Sequence, residues 1–393
     1  MQIAIDYTPA IAQTAGIGRY ARELVAALAR IDSINGYTLF SAQDVAPGSD
    51  VIHDLPMGAN VRLRITPIGE RRLTQLWQRA HIPLRIEWLA GAAQIFHALD
   101  FTLPPTRMRR VVTIHDLAFV THPECAVPSL VAYLTQAVRR AVLAADAIIT
   151  VSEHTRTTLL RWLPGVPPER VTAIPLGVGA RFAPVTDPAR LRAVSERFGL
   201  ADAFILSVGT LEPRKNYPAL IRAFAQARRM AGGPQQLVIA GRHGWLAEDI
   251  HASITAHGVS AWVRIIDNVA DGDLPALYSL AGVVAQLSHT EGFGLPTLEA
   301  MRCGVPVIIS DGGALPEVAG DAALVVAPAD PAAIAHALVQ VLNAPSLREE
   351  LTRRGSARAA QFTWEATAAR TLRVYESLAP LTARRVWHIQ RGH

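Results

Sequence analysis

Short runs of apolar and β-branched residues alternate along the chain with longer stretches whose apolar positions recur every three to four residues. The first half reads "MQIAID", "GRYARELVAALARI", "YTLFSA", "VRLRITPI", "AQIFHAL", "RVVTIHD", "SLVAYLTQAVRRAVLAA" and "AIITVS". The second repeats this order with "AFILSVG", "YPALIRAFAQARRM", "QLVIAG", "VRIID", "LPALYSLA", "GVVAQLS", "LPTLEAMRC", "VPVIIS", "AALVVA" and "PAAIAHALVQVLN". Such alternation predicts βαβ units and parallel sheets: an α/β chain of two facing, Rossmann-like, doubly wound domains, with ligands held in a cleft at the carboxyl ends of the strands. The aperiodic, Pro- and Gly-rich stretch "AIPLGVGARFAPVTDP", residues 173–188, predicts the linker. The expected boundaries are 1–178 for the N-terminal domain and 179–365 for the C-terminal one. Residues 366–393 then form a helix that packs back on the first domain, followed by the tail "TARRVWHIQRGH".

Composition adds limits. A chain of 393 residues, 50% apolar and 18% charged, can bury two cores. The start lacks a basic, long-apolar leader, and no apolar run approaches the ~20 residues that span a bilayer. Cys125 and Cys303, placed in different halves by the pattern, are no disulfide framework and fit a reducing cytoplasm. A net charge of +5 favours an anionic partner: nucleic acid, lipid headgroups or a phosphorylated small molecule. Residues 70–94, "ERRLTQLWQRAHIPLRIEWLAGAAQ", interleave Arg71, Arg72, Arg79 and Arg85 with Leu73, Leu76, Trp77, Ile82, Trp88 and Leu89. Two readings stay open: an interfacial basic segment touching an anionic membrane, or two ordinary helices broken at Pro83 with their apolar stripes facing the core.

Candidate chemistry follows the strands. In "HTEGFGLPTLEAMRCGVPVI", residues 289–308, Pro296 suits the first turn of a helix and Gly304 its stop. A Gly-rich turn opening a helix is a ready anion site. The flanking carboxylates, Glu291 and Glu299, would be repelled by phosphate and so suit hydroxyl donors. Glu299 also reads as a first-turn acid that only complements the helix dipole. In "GTLEPRKNYP", residues 209–218, Lys215 is the one lysine among 38 lysine and arginine residues. A compact ammonium there suits a phosphate as a point charge. Weaker patterns are "GIGRYA", which fits the dinucleotide fingerprint but stands about nine residues beyond its strand, and "DGD", 271–273, a two-acid metal spacing that also reads as Asp273 capping a helix. Ser152 reads as a helix cap, and His81, His122 and His154 as surface or loop residues.

These motifs resemble the retaining glycosyltransferases of GT-B fold often called group 1 or family 4. "EGFGLPTLE" is similar to their E-x7-E signature, "VGTLEPRKN" to their other donor-site motif, "VVTIHDL" to their N-domain histidine segment and "TAGIGRYARELVAAL" to their N-terminal glycine loop. "LPEVAGDAALVV" matches the usual continuation, and the likeness runs from about residue 1 to about 378. The resemblance implies that Lys215 and Arg214 neutralise the donor diphosphate, with Gly209 and Thr210 in the same loop. Glu299 accepts from the ribose, while Glu291 and the backbone of Gly292, Phe293 and Gly294 hold the transferred sugar, with Leu295, Thr297 and Leu298 beside them. His115 stands on the acceptor side, and Gly16 and Gly18 admit the glycine loop to the diphosphate.

Two departures from that pattern are Leu287 before Ser288, where the family often has proline, and Thr210, where some relatives carry arginine. The missing charge would then come from Arg214, Arg242 or elsewhere. The implied activity is transfer of a hexose, first mannose from GDP-mannose and second a UDP-sugar, to a glycan or lipid-linked acceptor. The anomeric configuration is retained, no metal or cofactor is needed beyond the nucleotide sugar, and no nucleic acid is engaged. The "GTLEPRKN" segment most resembles bacterial mannosyltransferases of surface-polysaccharide assembly. The expected location is cytoplasmic, peripheral at the inner membrane face. Rival readings are a phosphorylase, which needs a lysine for pyridoxal phosphate when the one lysine is already placed, an epimerase of the same fold, and a non-catalytic sugar-nucleotide binder.

Overall fold

The computed structural model describes residues 1–13, 16–42, 59–80, 82–202, 204–230, 232–267 and 269–379. The tail after residue 379, His81, and Thr14 and Ala15 of the glycine loop lie outside the described residues. The chain divides into two compact units. One comprises Met1–Leu117, Ala132–Gly177 and the chain from Trp364 onward; the other comprises Ala118–Val131 and Val178–Thr363.

The first unit is built on seven parallel strands: β1 (Gln2–Asp6), β2 (Gly36–Ala42), β3 (Val61–Thr66), β4 (Ile95–Ala98), β5 (Arg109–Ile114), β6 (Ala147–Thr150) and β7 (Val171–Ala173). Their spatial order is β3-β2-β1-β4-β5-β6-β7, so the order reverses between β1 and β4. Ile3 pairs with Ile95 and Asp6 with Ala98 across that junction. β4 and β6 are buried along their whole length, as strands covered on both faces must be. Helix Gly16–Ile31 buries Tyr20, Ala21, Leu24, Val25 and Leu28, and helix Trp364–Leu378 lies along it. Arg30 pairs with Glu365 at 2.8 Å, and the Tyr375 hydroxyl meets His97 Nδ1 at 2.6 Å.

The second unit carries six parallel strands: β8 (Phe204–Val208), β9 (Gln236–Ala240), β10 (Val263–Ile266), β11 (Val283–Gln286), β12 (Val307–Ser310) and β13 (Leu324–Val326), ordered β10-β9-β8-β11-β12-β13. Here the reversal falls between β8 and β11. Helices not anticipated from the pattern, among them Pro188–Phe198, Glu248–Ala256 and Pro345–Ala359, belong to this unit. Because residues 118–131 group with it, Cys125 and Cys303 share one unit rather than two; both are free and buried.

Residues 70–94 match neither reading whole. Helix Glu70–Thr74 runs into a π-helical turn, Gln75–Arg79, and the next helix is the single turn Glu87–Ala90. Leu73 is buried and the Trp77 indole donates to the Leu84 carbonyl at 2.8 Å, but Ile82 and Trp88 stay 44% and 69% exposed. Among the described residues, no helix is long and apolar enough to cross a membrane.

Candidate functional site

In the second unit, the loops that follow β8 and β11 flank the point where strand order reverses, which is where open parallel sheets bind ligands. After β8 the chain turns at Gly209, where a Cβ would stand 3.1 Å from Lys215 Cε, so glycine leaves room for the lysine stem. The 3-10 turn Pro213–Lys215 then aims both cations back across the loop. Asn216 ends that turn in the left-handed region, which its side chain tolerates, and donates to the Pro328 carbonyl at 2.9 Å. Beyond it the Tyr217 hydroxyl donates to the Gly209 carbonyl at 2.8 Å, closing the loop.

Glu291 joins the two loops. Lys215 Nζ donates to its Oε1 at 2.6 Å and Arg214 Nη1 to its Oε2 at 2.7 Å. Ser288 Oγ adds a bond to Oε1 at 2.6 Å, and Arg214 Nη2 reaches Glu212 Oε1 at 2.6 Å. Burial would raise the Glu291 carboxyl, but the charges of Lys215 and Arg214, helped by bonds from Lys215 and Ser288, outweigh it and hold the group at about 2. Two carboxylates thus face two cations in a buried, hydrogen-bonded network. An anion entering here would compete with Glu291 for Lys215 and Arg214, and a hydroxyl donor would meet an ionised Glu291.

The pattern had not singled out Glu212, Ser288 or Gly313 as supports of this site. Gly313, at φ +66°, would place a Cβ 2.3 Å from the Glu291 carbonyl oxygen and 2.4 Å from its nitrogen. The "DGG" turn directly after β12 was the available signal. Leu287, the departure from the usual proline, is buried in the core beside Ser288, and the methyl of Thr210 lies against the Gly244 backbone.

The helix Leu295–Arg302 opens at Gly294, with Pro296 in its first turn, and is stopped by Gly304 at φ +77°. Phe293, Leu295, Thr297 and Leu298 turn their side chains into the core, and the Phe293 ring lies 5.9 Å from that of Phe362. Of the four, Thr297 alone carries a side-chain polar atom, an Oγ1 shielded from solvent with no hydrogen-bond partner among the described residues. Glu299 is the fifth residue of the helix, past the first turn, so the dipole reading falls; it is 1% exposed and accepts from the Tyr278 hydroxyl at 2.9 Å. Asp273 occupies the cap position of helix Leu274–Leu280 without making a capping bond, and pairs instead with Arg197 at 2.7 Å. Asp271 pairs with Arg181 at 3.2 Å. Ser152 does cap its helix, accepting from Thr155 N–H at 3.0 Å. His154 is a helix residue, and the His122 ring stacks 6.1 Å from that of His289.

In the first unit, His115 follows β5. Its Nε2 donates to the Leu99 carbonyl at 2.7 Å, and the rings of Tyr20 and Phe101 stand edge-on at 4.9 and 5.8 Å. Burial lowers its pKa against the pull of Asp100, favouring the neutral imidazole. Gly18 is required by its own neighbourhood, since a Cβ there would fall 1.8 Å from the Gln13 carbonyl oxygen, while a Cβ at Gly16 would meet nothing within 4 Å among the described residues.

Two open parallel sheets of Rossmann type, the second with paired cations and a buried carboxylate where its strand order reverses, define the GT-B class. Similar solved structures share this fold, among them sucrose-phosphate synthase from Thermosynechococcus elongatus, with a TM-score of 0.75 at 23% identity over 96% of this chain and 99% of that one. The family model for glycosyl transferases group 1 matches residues 193–358, and that for glycosyltransferase family 4 matches residues 14–181. O-antigen chain mannosyltransferase B of Escherichia coli is 34% identical over 385 residues, 96% of this chain and 100% of that protein. The serotype-specific mannosyltransferase WbdA, also of E. coli, is 33% identical over 227 residues, 57% of this chain but 28% of that longer protein. The chain belongs to the group 1, family 4 glycosyltransferases.

Proposed function

We propose that this glycosyltransferase moves mannose from GDP-mannose, with retention of configuration and without a metal, to a glycan or lipid-linked acceptor in polysaccharide assembly. The observation that carries the reading is the buried cluster of Lys215, Arg214 and Glu291. The similarity to an O-antigen chain mannosyltransferase across both chains supports the choice of sugar and pathway class. Lys215 and Arg214 exchange part of their contact with Glu291 for the diphosphate and stabilise the charge that builds on it as the glycosidic bond breaks. Their two positive charges do the work a divalent ion would otherwise supply. Glu291 accepts hydroxyls of the sugar, and the backbone at Gly292, Phe293 and Gly294 supports it. Glu299 serves the ribose, the glycine loop at Gly16 and Gly18 approaches the diphosphate, and His115 serves the acceptor side. The acceptor hydroxyl attacks the anomeric carbon on the face the diphosphate leaves, and a diphosphate oxygen takes its proton. The nucleotide sugar is the co-substrate and no further cofactor takes part.

The protein works in the cytoplasm against the inner membrane face. What supports this is a cavity of about 860 Å³ at the amino ends of β4 and β5, lined by Arg85, Arg107, Arg109 and the exposed Trp88, with Glu87 as the carboxylate in its wall.

A thermal-shift panel in EDTA with GDP, UDP, GDP-mannose, UDP-glucose and NAD tests the donor. A ligand held at 100 times its Kd adds about 2.7 kcal/mol to the native state. GDP and GDP-mannose are expected to stabilise without metal; a response to NAD alone, or a response that needs a divalent ion, would sink the reading.

A further inference from the structure

In the first sheet the strand order reverses between β1 and β4, and ligands of open parallel sheets lie at the carboxyl ends of the strands there. Asp6 ends β1, and Leu99, Asp100 and Phe101 follow β4. Three observations converge on these last three residues. The Leu99 carbonyl holds the His115 imidazole at 2.7 Å. Asp100 Oδ2 accepts from Gln13 Nε2 at 3.1 Å, whereas its Oδ1 is shielded from solvent and has no hydrogen-bond partner. A shielded carboxylate oxygen in that state is costly until a donor reaches it. Phe101 has φ +41°, a region that bulky side chains avoid and where strain marks ligand sites, yet it is held there with its ring edge-on to His115.

The ligand these residues suit is not a phosphate. Asp100 lies within electrostatic reach of Asp6 and Asp116 as well as His115, so carboxyl groups outnumber the one imidazole around it. A neutral hexose fits: its hydroxyls donate to a carboxylate, and its C–H face packs on an aromatic ring. The terminal torsion of aspartate is soft, so Oδ1 can turn toward such a hydroxyl.

We propose that Asp100 and Phe101 form the acceptor subsite of the transfer reaction. Asp100 accepts a hydrogen bond from a hydroxyl of a neutral hexose acceptor, and Phe101 packs against its ring beside His115. This rests on the reading of the chain as a hexosyltransferase whose first unit serves the acceptor.

The test is saturation-transfer NMR with methyl α-mannopyranoside on the full chain, alongside acceptor and donor kinetics. Asp100→Asn keeps an oxygen for Gln13 and so preserves the fold, and Phe101→Ala removes the platform. Wild type is expected to bind the glycoside, with inorganic phosphate failing to compete, and both variants to weaken it at least about fivefold. The acceptor KM should rise about tenfold or more, as for loss of a hydrogen bond to a charged group, with the nucleotide-sugar KM within about twofold. Gln13→Ala, which removes the brace and leaves the carboxylate, should move the acceptor KM less than Asp100→Asn. Glycoside binding absent in wild type or equal in all variants overturns the proposal. So does a parallel rise in the nucleotide-sugar KM, which would make Asp100 a brace of the glycine loop alone. Failure of the underlying reading looks different: wild type transfers no hexose from any nucleotide sugar, whatever the glycoside signal.

Discussion

Glu291 is a buried acid kept ionised by two cations, so its contribution to stability has a definite pH window. Its folded pKa of about 2 lies below the ordinary 4.5, so the stabilisation is present above the ordinary value and is lost as pH falls toward 2. Removing the Lys215 charge leaves burial less opposed and moves that window upward. Lys215→Ala should therefore unfold at a higher pH in acid titration, and should lower kcat roughly 100-fold as one preorganised charge is lost from the transition state. A near-normal kcat would remove Lys215 from the chemistry. Lys215 and Glu291 were legible in the sequence because one is singular in the chain and the other stands in a long motif. Glu212 and Gly313 were not legible as their supports, because which loops meet at a strand end is decided by the order of strands in the sheet, and no local pattern carries that order. Asp100 escaped for the same reason, its partner Gln13 lying in a different loop.

At the scale of elements, the strands were the legible part: buried parallel strands read as β-branched runs whatever surrounds them. The helices Pro188–Phe198 and Pro345–Ala359 escaped because they show the core so little, the first burying Val194 and the second Leu351, Gly355 and Ala359. β7 escaped because its three residues run into the Pro- and Gly-rich stretch. The turn after β12 shows how one element positions another. Gly313→Ala must accept a left-handed residue and a Cβ against the Glu291 backbone at once. Gly258, at φ +65° where an added Cβ would meet nothing within 4 Å among the described residues, separates the two effects. Gly258→Ala should cost about 1–2 kcal/mol of stability with kcat unchanged. Gly313→Ala should cost more and also lower kcat about tenfold or more, because Glu291 shifts; this follows the sensitivity of catalysis to small misplacements. Equal effects in chemical denaturation and steady-state kinetics would show that the turn does not position the acid.

At the scale of the whole molecule, a chain of net charge +5 meets anionic surfaces favourably, but the distribution of charge decides where. The cavity walled by Arg85, Arg107, Arg109 and Trp88 lies at the amino ends of β4 and β5, while His115 and Asp100 follow the carboxyl ends of those strands. Membrane contact at the first end, as proposed, would leave the carboxyl ends free, so the two proposed roles should be separable by mutation. Each arginine near an anionic leaflet contributes about 1 kcal/mol, screened by salt. Flotation with phosphatidylglycerol vesicles at low salt should carry the protein up, phosphatidylcholine vesicles should not, and about 0.5 M salt should release it. The Arg85→Gln, Arg107→Gln double variant should bind roughly 30-fold more weakly, with activity on a soluble acceptor unchanged. Equal flotation of wild type and double variant would move the contact elsewhere on the chain, and no flotation of either would remove the membrane from the protein's function.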